Sequence, residues 1–61
     1  MTSIAISKKY AGNLPAWQHK ANANYFDRMW DILKVGGIYT WIDQGRMFVK
    51  LAAYHQWEEV L

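Results

Sequence analysis

An α+β fold is what this sequence predicts, on three observations. Residues 24–35 carry a helical apolar stripe with marked ends, residues 37–51 read as a β-hairpin with large apolar side chains on both faces, and residues 52–60 return to helical spacing. A single small domain covering residues 1–61 follows from the length. A chain this short buries only about 60% of the surface that its unfolded form exposes, so its own core is marginal and extra stabilisation is expected.

The elements follow in order. Residues 2–7, Thr-Ser-Ile-Ala-Ile-Ser, place Ile4 and Ile6 on one side of an extended chain, a short strand signal that offers the hairpin a third strand. Gly12-Asn13-Leu14-Pro15 is turn chemistry, and Pro15 can open a helix at its first turn. Residues 16–23 are mixed and helix-tolerant, with Asn22 to Asn24 as a point of interruption. From Asn24 to Val35, Phe26, Met29, Trp30 and Leu33 form one stripe, widened by Tyr25 and Ile32, while Asp27, Arg28, Asp31 and Lys34 face away. Asn24 is a good N-cap, Lys34 lies in the last turn, and Gly36 can take the left-handed conformation that closes a helix. In the last segment Ala53, Trp57, Val60 and Leu61 recur at helical spacing, predicting a short C-terminal helix docked on the rest of the chain or on a second copy.

The hairpin between them has two registers, and a one-residue slip exchanges its faces. With a two-residue turn at Gln44-Gly45, or a loop of residues 43–46, Ile42 faces Met47, Thr40 faces Val49 and Ile38 faces Leu51 inside. The outer face then carries Tyr39, Trp41, Phe48 and Lys50, with Asp43 opposite Arg46. With Asp43-Gln44-Gly45 as a three-residue loop and Gly45 left-handed, Trp41 faces Met47 and Tyr39 faces Val49 inside, leaving Ile38, Ile42, Phe48, Arg46 and Lys50 outside. The three-residue loop is the preferred register, because a type I′ turn would force Gln44 to positive φ. In both registers Phe48 points out, and Met47, Val49 and Leu51 point in.

Composition narrows the functional classes. The absence of cysteine removes disulfides and thiolate zinc sites and fits a reducing compartment, so a cytoplasmic location is expected. Seven Lys and Arg against five Asp and Glu give a net charge of +2, with Lys8-Lys9 the one adjacent basic pair, which is mild for a nucleic-acid binder. No apolar run approaches the roughly 18 residues of a membrane span, and no signal-peptide pattern is present. His19 and His55 lack a third ligand at metal spacing, Asp27 and Asp31 read as a solvated helix face, and Glu58-Glu59 as the wet side of the last helix. Ser3 and Ser7 have no base nearby in sequence, and Gly36-Gly37 matches no phosphate-cradling spacing. No catalytic residue, cofactor or metal ligand is therefore assigned.

Four Trp, four Tyr and two Phe suit both dense packing and contact surfaces. The expected function is a non-enzymatic protein-interaction module that self-associates, as a homodimer or with a larger protein partner. Its contact residues would be Trp41, Arg46, Phe48, Tyr39 and Lys50 on the hairpin, with Trp57 from the last helix. The alternatives are single-stranded nucleic-acid binding, with bases stacked on Tyr39, Trp41 or Phe48, and a compact monomer whose helices and N-terminal strand cover both hairpin faces.

Overall fold

In the computed structural model, which describes residues 1–61, Thr2 opens a helix where a strand was expected. Thr2 is extended, its hydroxyl accepts from the Ala5 amide at 3.3 Å, and Lys8 and Lys9 complement the last turn of α1 (Ser3–Tyr10). The buried residues Ser3, Ile6 and Ser7 recur at three- and four-residue intervals, and the small serines allow a close approach to the second helix. Ile4, which made the alternation look like a strand, faces outward. Only Met1 and Thr2 add to the sheet, Met1 pairing with Trp57 and Thr2 with Gln56.

Helix α2 (Ala16–Ile32) starts eight residues earlier than Asn24, directly after an extended Pro15, and runs through Asn22 to Asn24 unbroken. Its buried stripe is His19, Ala23, Phe26 and Trp30, spaced by four, three and four residues. The helix ends at Ile32, so Leu33 to Val35 leave it and Gly36 takes its left-handed φ of 87° in the following turn. Gly37 has a different reason to be glycine. A Cβ there would sit 2.9 Å from the Lys34 carbonyl oxygen and 3.3 Å from Leu33, so the turn closes on a backbone without a side chain.

The sheet is an antiparallel meander in the order β1-β2-β3, built from β1 (Ile38–Trp41), β2 (Arg46–Lys50) and β3 (Trp57–Val60). The expected C-terminal helix is therefore replaced by a strand. Four residues of alternating Trp57, Glu58, Glu59 and Val60 gain a full ladder on β2, whereas an isolated short helix gains little. The third strand of the sheet comes from the C-terminal segment and not from residues 2–7.

Neither expected hairpin register occurs. Residues 42–45 form the loop, a 3₁₀ turn over Ile42–Gln44 closed by Gly45 at φ 63°, and Trp41 lies opposite Arg46, Tyr39 opposite Phe48 and Ile38 opposite Val49. The division of residues between faces matches the two- or four-residue loop reading, with inside and outside exchanged. Tyr39, Trp41, Phe48 and Trp57 face the helices, while Ile38, Thr40, Met47 and Val49 face away. Phe48 is 0% exposed and Met47 43%, which reverses the orientation expected for both.

Ring size explains the exchange. The core consists of Ile6, Phe26, Trp30, Trp41, Phe48 and Trp57, and Phe26 meets Tyr39, Trp41, Phe48 and Trp57 edge-to-face at centroid distances of 4.8, 5.1, 5.3 and 5.6 Å. With so few interior positions, each occupied by a ring of about 150–250 Å², burying the aromatics removes more apolar surface than burying Met47 and Val49 would. The Trp57 indole N–H is buried without an acceptor, a penalty of about 1–3 kcal/mol that the burial of its ring offsets.

Phe26→Ala should destabilise the fold by about 3–5 kcal/mol, close to the whole stability of a domain this small. Urea denaturation followed by circular dichroism should then find little folded baseline, whereas Ile42→Ala, at a position 82% exposed, should move the midpoint by less than about 0.5 kcal/mol.

Candidate interaction surface

The residues expected to contact a partner serve mostly to hold the helices on the sheet. Trp41, Phe48 and Trp57 are core residues at 7%, 0% and 0% exposure, so their rings present no surface to a second molecule. Tyr39 is half-buried against Phe26, and its burial, with Asp43 and then Tyr25 nearby, pushes its phenol above the ordinary range. Lys50 reaches across to the end of α2. Its ammonium donates to the carbonyls of Trp30 and Leu33 at 2.5 and 2.7 Å and lies 4.6 Å from the centre of the Trp30 ring. A cation placed on the last turn satisfies carbonyls that the helix leaves unpaired and opposes the negative end of its dipole.

Arg46 works in the same way at the other helix. Its guanidinium donates to Glu59 Oε2 at 2.6 Å and stacks 3.9 Å over the ring of Tyr10, whose hydroxyl donates to Glu59 Oε1 at 2.7 Å. The Tyr10 hydrogen bond, followed by that from Arg46, holds the Glu59 carboxyl below the ordinary range. This triad ties the end of α1 to β2 and β3.

The surface that is left uncovered is the outer face of the sheet. Ile38 and Met47 are 48% and 43% exposed, Val49 and Val60 are half-buried, and Thr40 and Glu58 complete the face, with Glu58 its one charge. Ile42 stands clear of the surface just past β1. The expectation that one hairpin face lies open is correct, but its side chains are aliphatic. Two signals in the sequence point to this: α2 presents Phe26 and Trp30 on one stripe, which calls for facing rings, and Trp57 and Glu59 alternate with Glu58 and Val60.

Two polar clusters lie elsewhere. Ser7, fully buried, accepts from the Asn22 amide at 3.0 Å and sits 2.7 Å from Nδ1 of His19, so its own proton is free to complete the bond to the imidazole. His19 is thus a structural histidine between α1 and α2. Ser3, in the segment that reads as a strand, is buried and donates to Asp27 Oδ1 at 2.6 Å, while Nδ1 of His55 lies 3.7 Å from the same oxygen. The hydroxyl and the imidazole thus meet on one carboxylate oxygen of Asp27. His55 is held at φ 56° in the β2–β3 loop and stacks on Tyr54 at 3.9 Å.

Two outcomes test these assignments. Lys50→Met, which keeps the stem and removes the ammonium, should destabilise the fold by about 1–3 kcal/mol in urea denaturation, because two carbonyls lose a charged donor. For Glu59 the lowered carboxyl stabilises the native state fully above the ordinary glutamate value of about 4.3, and that contribution is lost as pH falls through its lower native value. Wild type should therefore lose midpoint temperature between about pH 5 and about pH 2 more steeply than Glu59→Gln, whose profile should be flatter. Comparison of the chain with protein-family models, curated proteins and solved structures yielded no match, so the functional reading rests on this geometry.

Proposed function

We propose that the protein is a non-enzymatic interaction module that self-associates through its hairpin and offers the aliphatic outer face of its sheet to a protein partner. One observation carries this reading: both helices pack on the same side of a three-stranded sheet, and the other side holds Ile38, Met47, Val49 and Val60 with a single charge, Glu58. A contiguous apolar area on so small a molecule is a usual mark of contact. The nucleic-acid reading needed Tyr39, Trp41 and Phe48 outward, and those rings pack around Phe26. The lack of cysteine suits action in the reducing cytoplasm. No helix is long and apolar enough to cross a membrane.

Sedimentation across a concentration series from about 10 µM to about 1 mM tests self-association. The weight-average mass should climb from the monomer value of 7.2 kDa toward twice that. A mass fixed at the monomer value throughout would remove the self-association reading.

A further inference from the structure

The two edges of the sheet are not equivalent. Parity decides which backbone groups face outward: Lys50 N–H donates to the Gly37 carbonyl and Leu51 N–H to Gln56, so β2 turns residues 46, 48 and 50 to β1 and residues 47, 49 and 51 to β3. On β3 the outward residues are then Trp57 and Glu59. Met1 occupies Trp57 by bonds in both directions, and Glu59 carries a charge. On β1 the outward residues are Ile38 and Thr40, and no strand lies beside them.

β1 is short, but its residues carry none of the side-chain or bulge protections of an edge. Ile38-Tyr39-Thr40-Trp41 contains no charge, proline or bulge and is made wholly of strand-favouring residues. Beside it runs a groove of about 310 Å³ between α2 and the strand, lined by Asn22, Tyr25, Tyr39, Trp41 and Asp43 among others. An incoming strand would find backbone partners and a place for one row of its side chains.

We propose that this edge is occupied by β1 of a second copy, antiparallel about a two-fold axis, giving a continuous six-stranded sheet; the proposal rests on the self-association reading above and names its interface. Charge selects this occupant. Exposed Lys34 precedes β1 and exposed Asp43 follows it, so antiparallel pairing sets the acidic end of each strand beside the basic end of the other. The same pairing brings Ile42, 82% exposed, toward Val35 of the partner, which is 63% exposed, so each copy shields the other's aliphatic side chains. With Ile38 opposite the partner's Thr40, the shared ladder has about four hydrogen bonds, and Tyr39 lies across from the partner's Tyr39 beside the groove. Assembly stops at two copies, because the remaining edge is the one that Met1 and Glu59 close. The outer faces then merge into a single aliphatic surface of twice the area.

The experiment combines sedimentation with amide exchange. Thr40→Pro removes an outward N–H and leaves the β1–β2 ladder its own bonds, Thr40→Lys puts a charge on the edge strand where it meets the outer face, and Met47→Lys alters the outer face of the central strand only, so Thr40→Pro is the variant specific to the edge. The expected result is a wild-type dimer, monomeric Thr40 variants with wild-type circular dichroism, and a Met47→Lys protein that still dimerises. In wild type the Ile38 and Thr40 amides should exchange about tenfold more slowly once about nine-tenths of the chain is paired than at high dilution. Dimers that survive both Thr40 variants overturn the edge pairing and leave self-association standing, with the outer face as its site if Met47→Lys is then monomeric. If all variants are monomeric, the amides decide: exchange at Ile38 and Thr40 that ignores concentration overturns the pairing. Wild type that is monomeric at every concentration overturns this proposal and the self-association reading together.

Discussion

The insertion of one ring, Phe26, edge-on among four others is the contact from which the rest of the structure follows. Tyr39 and Trp41 come from β1, Phe48 from β2 and Trp57 from β3, so one side chain of α2 touches every strand. A core of six residues has little redundancy. In a domain this small the large rings supply most of the apolar burial, and their edge-to-face preference adds orientation to it. The sheet therefore has only one face it can turn to the helices.

Once that face is chosen, the charged residues among the rings are committed as well. Arg46 and Lys50 lie two residues to either side of Phe48 along β2, so they share its face and project toward the helices at the margins of the core. Each is put to use there. Lys50 ends α2 by taking two of its carbonyls, and Arg46 anchors α1 through Tyr10 and Glu59. Cations that looked like partner contacts thus join helix to sheet, with the guanidinium of Arg46 over Tyr10 and the ammonium of Lys50 over Trp30. Ser7, His19 and Asn22 do the comparable task between the helices with neutral groups, completing their hydrogen bonds away from water.

On the sheet, what this arrangement leaves uncovered is the side opposite the helices and the edge of the strand beside the groove. Both draw on the same hairpin, and apart from Glu58 of β3 both consist of uncharged residues. The aromatics that stay exposed, Trp17, Tyr25 and Tyr54, lie on α2 and in the β2–β3 loop, so the outer face of the sheet itself has only aliphatic and small polar side chains beside Glu58.

Read alone, the sequence carried the class of the protein and the presence of a central helix and of the hairpin, but it left two divisions of the hairpin residues between faces open and favoured the one that does not occur. Class and elements depend on local periodicity and turn chemistry, which a short window of residues carries in full. Tertiary structure alone decided which face is inside, because alternation marks two faces without ranking them, and the ranking came from Phe26 and Trp30 on a distant helix. It also decided that residues 2–7 form part of a helix and residues 57–60 a strand. Ile4 and Ile6 share a face only in a strand, and Ala53, Trp57 and Val60 only in a helix, but a pattern of two or three residues is too short to outweigh what surrounds it. The deciding terms were a threonine cap with close serine packing for the first segment, and an open edge of β2 waiting for the second.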